Sequence, residues 1–185
     1  MRHVFFVIII LSVFTSLKAQ PIDLGFRLES QVLFTKIAHN ESDSETSSLL
    51  TCGELTFGIY PIKKLLIEAR FGYEPGIYFL GYKGTEYGIY AKYFLYNSLY
   101  FTGGIADHTN DGDGGYGSSK NLVMPSLGIG VKPWKHVGIE LLYQKANRQA
   151  ISGVFDRSFP ENSYTIYLSS LLKISIAADW IIGDF

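Results

Sequence analysis

Residues 137–144 read Val137-Gly138-Ile139-Glu140-Leu141-Leu142-Tyr143-Gln144, a stretch in which apolar and polar side chains nearly alternate. Residues 65–73 repeat the pattern, with Glu68 and Arg70 each placed between apolar neighbours. Because successive side chains of a β-strand point to opposite faces, each stretch has one apolar face and one charged face. The alternation therefore predicts β-strands, and the fold depends on which face is turned inward.

Segments of this kind recur along the chain, and the connections between them are alternately long and short. The predicted strands span residues 22–37, 50–60, 65–73, 85–94, 99–106, 122–132, 137–145 and 164–182. Short turns (61–64, 95–98, 133–136) fall at one end, and longer polar loops (39–48, 74–84, 107–121, 146–162) at the other. An even number of strands with this asymmetry is typical of outer-membrane barrels. We predict an all-β fold, a closed antiparallel up-and-down transmembrane β-barrel of eight strands, since an open sheet edge in lipid leaves backbone groups unpaired.

The amino-terminal segment has the features of a secretory signal peptide. Arg2 and His3 precede an apolar run over residues 4–14, and Ala19 is a small residue directly before Gln20. This run is shorter than the roughly 20 residues of a membrane-spanning helix, which argues against the alternative of a retained anchor. We expect residues 1–19 to be cleaved and residues 20–185 to form one barrel domain.

Composition excludes several classes of function. The formal net charge is −1, and the basic residues form no long run, so nucleic acid is not an expected partner. Cys52 is the single cysteine, which rules out an internal disulfide and a cysteine-based metal cluster. We interpret Cys52 as a small apolar residue near the top of the second strand. No cofactor is expected.

The outward parity of the strands also carries aromatic residues at both ends. Phe34, Tyr73, Tyr87, Tyr143 and Tyr164 are expected near the long-loop rim, and Tyr93, Phe101, Trp134 and Trp180 near the short-turn rim. In the last strand Ile166, Leu168, Leu172, Ile174, Ile176 and Trp180 share this parity. A soluble β-sandwich or lipocalin-like barrel would show the same alternation with its faces exchanged. Pro125 requires a bulge or an edge-like position in the sixth strand.

The opposite parity collects charges that would lie in the lumen. The predicted lumen cluster consists of Arg27, Glu29, Glu54, Glu68, Arg70, Lys92, Glu140 and Lys173, and the wider inner face adds Asp23, Lys132 and Asp179. These are six acids and five bases, so the charges nearly cancel. Since the interior of an eight-stranded barrel is filled by side chains, we interpret the cluster as a structural, salt-bridged plug. The functional alternative is a narrow ion pathway lined by the same charges.

Catalytic and metal sites are weakly indicated. His39 and His108 are expected at the outer rim, near Ser42 and Asp107 respectively, and His136 in an exposed short turn. None forms a recognisable set of nucleophile, base and orienting acid, so catalytic residues are not expected. The run Asp107, Thr109, Asp111 and Gly112 resembles the start of a calcium loop, but Ser118 replaces the closing Glu, and a solvated glycine-rich loop with no metal is favoured.

The whole of residues 20–185 resembles the small bacterial outer-membrane barrels, the group that includes the outer-membrane protein A transmembrane domain and the Ail/OmpX adhesins. The resemblance depends on the Ala19–Gln20 site, the eight alternating strands and the terminal Phe185. It implies that Phe185 is the carboxy-terminal insertion signal read by the barrel-insertion machinery. It also implies a location in the bacterial outer membrane, contact with lipid and lipopolysaccharide, and loops that bind an extracellular ligand.

These features support a non-enzymatic structural or adhesive protein that displays four extracellular loops. The alternatives from other classes are an enzyme that modifies lipid A and a small channel or transport accessory protein.

Overall fold

The computed structural model of the chain describes residues 20–39, 43–77, 82–96, 98–111, 121–154 and 164–183. Within these ranges the strands are β1 (Ile22–His39), β2 (Asp43–Ile62), β3 (Leu65–Ile77), β4 (Tyr82–Phe94), β5 (Leu99–Asn110), β6 (Asn121–Trp134), β7 (Val137–Val154) and β8 (Tyr164–Ile182). Each strand is antiparallel to its neighbours, and β1 pairs with β8, so the sheet closes into a barrel. The predicted eight-stranded up-and-down barrel is confirmed. In the described part of the chain no helix is long and apolar enough to cross a membrane.

The outer wall of the barrel is apolar, as the alternation predicts. Large side chains on this wall are freely accessible, for example Ile89, which is 62% exposed, and Leu127, which is 72% exposed. On β1 the apolar outward positions run from Leu24 to Phe34, about ten residues, which at the usual rise and strand tilt is about 25 Å of height. We call this zone the apolar band. It matches the height of the lipid-facing band of outer-membrane barrels.

Aromatic side chains border the band at both ends. Exposed rings mark the long-loop rim (Phe34, Tyr73, Tyr87 and Tyr143) and the short-turn rim (Tyr93, Phe101, Trp134 and Trp180). The predicted rims are therefore confirmed at these positions, while the side chain of Tyr164 lies outside the described residues. The predicted signal peptide, residues 1–19, and Phe185 also lie outside them. Amphipathic rings favour the headgroup level of a bilayer, so the rims define the two edges of the band.

Strands β1, β2 and β7 are longer than predicted, whereas β8 has its predicted bounds, and all four rise above the band at the long-loop end. They contain between 18 and 20 residues, whereas β5 contains 12. The predicted loops over residues 39–48 and 146–162 are wrong in part, because residues 43–48 belong to β2 and residues 146–154 to β7. The predicted loops at 74–84 and 107–121 likewise lose residues to β3, β4 and β5. Since a strand outside the bilayer needs no apolar outer face, the sequence pattern does not mark these extensions. We call the extended part of the four strands the raised sheet.

The facing of β8 changes at an irregularity that the sequence analysis did not detect. Phe34 pairs with Ser170, but the next residue of β1, Thr35, pairs with Leu168, so one residue of β8 is skipped. An extra residue of this kind reverses which parity faces inward. Ile166 and Leu168, predicted to face outward, are buried in the lumen instead, whereas Ile174 and Ile176 are exposed as predicted.

Pro125 occupies an edge-like position in β6. It pairs with Ile105 of β5, whereas the pairing of β6 with β7 begins one residue later, at Ser126 opposite Gln144. A proline lacks the backbone N–H that a fully paired strand position needs. The expectation for Pro125 is therefore confirmed, and the same point marks where the raised part of β7 separates from β6.

Candidate functional site in the barrel lumen

The alternation of the strands brings all eight residues of the predicted lumen cluster into the barrel. Each is buried, with at most 5% of its surface exposed: Arg27, Glu29, Glu54, Glu68, Arg70, Lys92, Glu140 and Lys173. They are contributed by β1, β2, β3, β4, β7 and β8, so they converge from around the whole wall. Charges removed from water in this way must be paired to be tolerated.

One group of these charges, which we call the central lattice, is centred on Glu140. Arg27 and Arg70 each place a guanidinium nitrogen 2.8 Å from Oε1 of Glu140. Glu68 accepts from Nε of Arg70 and from Nζ of Lys92, each at 2.6 Å. Since β3 and β7 are four strands apart in either direction, the Arg70–Glu140 ion pair crosses the diameter of the barrel.

Two hydroxyl groups add hydrogen bonds to the central lattice. The Thr102 hydroxyl donates to Oε2 of Glu140 at 2.8 Å, and Arg27 donates to the Ser175 hydroxyl. The ring of Tyr90 lies 3.9 Å from the guanidinium carbon of Arg70, which is a cation–π contact. These three groups belong to β5, β8 and β4, so the central lattice is held by contacts from several sides of the barrel.

A second group, which we call the Lys173 cluster, surrounds one ammonium with four carboxylates. Nζ of Lys173 lies 2.7 Å from Glu86, 3.2 Å from Glu29, 3.7 Å from Glu74 and 3.9 Å from Glu54. Two amides add hydrogen bonds, because Gln31 donates to Glu74 and Gln144 donates to Glu86. Lys173 on β8 and Glu86 on β4 also stand on opposite walls, so a second ion pair crosses the lumen.

Glu74 and Glu86 were missed by the sequence analysis, and they change its charge balance. With them, eight acids (Asp23, Glu29, Glu54, Glu68, Glu74, Glu86, Glu140 and Asp179) face five bases (Arg27, Arg70, Lys92, Lys132 and Lys173). The prediction that the inner charges nearly cancel is wrong. Glu86 has the same parity as Lys92 and was detectable, whereas Glu74 was assigned to a loop because Pro75 follows it.

The lumen changes character toward the short-turn end. Lys132 pairs with Asp179 at 2.8 Å, and the Tyr60 hydroxyl donates to Asp23 at 3.3 Å. Beside these groups the Phe94 ring lies 6.4 Å from the Tyr60 ring and 5.2 Å from the Tyr100 ring. The Tyr100 ring occupies the space above Gly130, where an added Cβ would lie 2.2 Å from a ring carbon. This end of the lumen is therefore closed by an aromatic layer.

Toward the long loops the lumen contains an apolar cluster, which we call the upper core. Its members are buried side chains from most of the strands: Leu33, Leu50, Tyr82, Tyr90, Ala106, Leu122, Met124, Leu142, Ala146, Ile151, Ile166, Leu168 and Leu171. Leu33 and Leu142 of this cluster lie within the apolar band, whereas Ile151 and Ile166 extend it into the raised sheet. Apolar side chains that face inward are the arrangement that water outside the raised sheet would favour.

His108 is part of this inner packing and is not exposed at the rim as expected. The side chain is fully buried, and its ring stacks on Tyr82 with centroids 4.1 Å apart. Asp107 precedes it on the opposite face of β5, so the two side chains do not meet. The side chain of His39 lies outside the described residues. His136 is exposed as expected, and its Nδ1 is 2.8 Å from the carbonyl oxygen of Asp179.

The remaining sequence-level candidates have structural contacts. Cys52 is buried, and its Sγ lies 3.9 Å from Oε2 of Glu29, so it lines the charged lumen and the purely apolar interpretation is incomplete. In the calcium-like run the Thr109 hydroxyl is 3.1 Å from the hydroxyl of Tyr87, while Gly112 and Ser118 lie outside the described residues. Among the described residues no group of three His, Cys, Asp or Glu side chains is arranged to hold a metal ion.

The similarity of the chain to known proteins is confined to solved structures. No protein-family model matches the sequence, and no curated protein matches it. One similar solved structure is that of Ail, the attachment invasion locus protein of Yersinia pestis. The match has 8% sequence identity and a TM-score of 0.43, and it covers 85% of this chain and 99% of Ail. The N-terminal β-barrel domain of Pseudomonas aeruginosa OprF has 12% identity, coverage of 82% and 97%, and a TM-score of 0.43. The outer membrane protein OprG from the same organism has 13% identity, coverage of 87% and 97%, and a TM-score of 0.46. At these identities the likeness concerns the fold alone.

Proposed function

We propose that this protein is a non-enzymatic outer-membrane barrel with a structural and adhesive role, which displays its long loops and raised sheet outside the cell. The observation that carries the proposal is the apolar band. Between its two aromatic rims every described outward position is uncharged, while charged residues of the same stretches, such as Arg27, Glu68 and Glu140, are buried inside. A soluble barrel buries its apolar face, whereas only lipid makes an apolar outer wall favourable.

The filled lumen supports a structural role in preference to conduction. The Arg70–Glu140 and Lys173–Glu86 ion pairs join opposite walls at two levels, and the upper core and aromatic layer lie beyond them on either side. An ion would have to displace buried and paired groups at each of these levels, which is costly. The alternative of a narrow ion pathway is therefore disfavoured by the packing.

The raised sheet supports an adhesive role because one of its strands has an open edge. β2 pairs with β1 as far as Asp43, but its pairing with β3 begins only at Gly53, opposite Tyr73. Within the described residues, the edge of β2 above Gly53 has no partner strand. An exposed strand edge presents unpaired backbone groups that can pair with an extended segment of another protein.

Membrane location is tested by extraction and by gel mobility. Cells expressing the full chain should yield the protein in the outer-membrane fraction, soluble only in detergent. The folded barrel should migrate differently from the boiled sample on a denaturing gel, because a closed barrel resists unfolding by the detergent. Recovery of the protein in the aqueous fraction without detergent would contradict the proposal.

Adhesion is tested by blocking the open edge. Lysine side chains on edge strands hinder pairing with another strand. Ser47 of β2 pairs with Phe34 at the upper limit of the apolar band, so Ser47→Lys should reduce the binding of expressing cells to host-cell or matrix surfaces. Thr109→Lys is the matched control, because Thr109 lies at the long-loop end of a strand that is paired on both sides, with Thr85 and with Asn121. Equal binding by wild type and by cells without the protein would contradict the adhesive role.

The non-enzymatic part of the proposal is tested on the membrane itself. Lipid A extracted from cells with and without the protein should have identical mass spectra. A gained or lost acyl chain that depends on the protein would overturn this part and favour a lipid A-modifying enzyme.

A further inference from the structure

An open cavity of about 830 Å³ lies at the short-turn end of the barrel. All three short turns contribute to it, with Lys63 and Lys64 from the β2–β3 turn, Tyr96 from the β4–β5 turn and Lys135 from the β6–β7 turn. We call it the turn-end cavity. Its volume is in the range of ordinary small-ligand sites.

The rim of the cavity carries three lysines whose charge no carboxylate of the described residues neutralises. Lys63, Lys64 and Lys135 are exposed, and none is within ion-pair distance of a carboxylate among the described residues. Lys132, which also lines the cavity, is already bound to Asp179. The three rim lysines therefore favour an anionic occupant.

The rest of the cavity lining is apolar and aromatic. Tyr60 and Phe94 form the inner part, and Leu95 and Ile181 contribute aliphatic surface. Trp134, which is 67% exposed, stands at the edge of the cavity and is also a member of the short-turn aromatic rim. The cavity thus combines an apolar interior with cationic groups at the level where the bilayer headgroups are expected.

We propose that the turn-end cavity binds an anionic phospholipid of the leaflet that the short turns face, with the phosphate held by the rim lysines and the glycerol and first acyl carbons against the aromatic lining. The inference rests on the proposed function, since it requires the short-turn rim to lie at a membrane surface. Lysines at an anionic bilayer surface contribute additively to lipid binding. Trp134 connects the cavity to the lipid-facing wall, which favours a lipid over an acidic protein segment or a soluble anion.

The experiment measures binding of short-chain lipids to the full-length protein folded in neutral detergent. Dihexanoyl phosphatidylglycerol should bind saturably by calorimetry, and dihexanoyl phosphatidylcholine should bind at least tenfold more weakly. The double variant Lys64→Gln/Lys135→Gln should lose about 30-fold in affinity. The matched control Lys83→Gln/Lys145→Gln, which removes two exposed lysines from the long-loop end, should bind as wild type does.

A second variant tests the cavity without changing charge. Ser98→Trp places a large side chain in the lining and should weaken phosphatidylglycerol binding while keeping the lysines. Equal binding of the two lipids, equal losses in both double variants, or tighter binding of inorganic phosphate or of a glutamate-rich peptide would each overturn the proposal. Gel mobility of every sample, boiled and unboiled, shows separately whether the barrel is folded, so failure of the lipid site is distinguishable from failure of the membrane assignment.

Discussion

Nζ of Lys173 on β8 lies 2.7 Å from Oε1 of Glu86 on β4, and these two strands are diametrically opposed in the barrel. The ion pair therefore joins walls that share no backbone hydrogen bond. Three further carboxylates, those of Glu29, Glu54 and Glu74, approach the same ammonium. Lys173 is the cation on which this level of the lumen depends, and its removal leaves a set of like charges facing one another.

We expect Lys173→Met to be among the most destabilising single substitutions in the protein. Removing one partner of a buried ion pair leaves uncompensated charge and typically costs about 3–5 kcal/mol. The free energy of unfolding in urea, measured in lipid vesicles, should fall by that amount. Lys83→Met is the control, because Lys83 is exposed at the long-loop end and its loss should change stability by less than about 0.5 kcal/mol.

Two Glu→Gln substitutions should have opposite effects although both sites are buried. Glu54 is 3.9 Å from Lys173 and 3.7 Å from Arg27, and it lies in a level with excess carboxylates, so Glu54→Gln should be neutral or stabilise by up to about 1 kcal/mol. Glu140 forms ion pairs with two arginines at 2.8 Å, and Glu140→Gln should destabilise by about 3–5 kcal/mol. The same urea titration measures both variants. A loss of more than about 1 kcal/mol in Glu54→Gln would contradict the charge excess inferred for this level.

The sequence was sufficient for the part of the barrel that lies within the apolar band. In the membrane location proposed above, lipid requires an apolar outer position at about every second residue, so parity identifies both the strands and the inward charges such as Arg70 and Glu140. Glu86 could have been assigned by the same parity. Within the band, environment and sequence pattern therefore correspond residue by residue.

Above the band that correspondence is lost, and the errors are concentrated there. The apolar residues of the raised sheet, such as Ile151 and Ile166, face inward. The skipped residue near Ser170 exchanges the faces of β8, which no local pattern in the sequence marks. Asn147 has a positive φ of 52° where the pairing of β7 with β8 is irregular. Such changes of register depend on pairing with the neighbouring strand and not on local composition.

The lumen should be electrically silent because the central lattice and the Lys173 cluster close it in series. Single-channel recording of the wild-type protein in a planar bilayer should show no discrete conductance steps. Arg70→Ala/Glu140→Ala should also remain silent, because Met124 and Leu142 of the upper core still fill the lumen above the central lattice. Adding Met124→Ala and Leu142→Ala to that variant should still give no steps, because the Lys173–Glu86 ion pair and the aromatic layer remain in place. Steps in the wild type would contradict the plug and favour the ion pathway.

A single substitution in β6 tests whether the apolar band faces lipid, as in a membrane barrel, or water, as in a soluble one. Leu127 is 72% exposed at the middle of the band, and an arginine at the bilayer midplane costs about 2–4 kcal/mol in transmembrane barrels. Leu127→Arg should therefore lower the free energy of unfolding in vesicles by that amount. Asn121→Arg, on the same face of the same strand but at its long-loop end, should have little effect, because its side chain lies in water. In a soluble barrel both residues would face solvent and neither change would matter. Equal free energies of unfolding of the two variants in vesicles would contradict lipid contact at the band. A difference between them that disappears in small, compliant detergent micelles would support lipid contact.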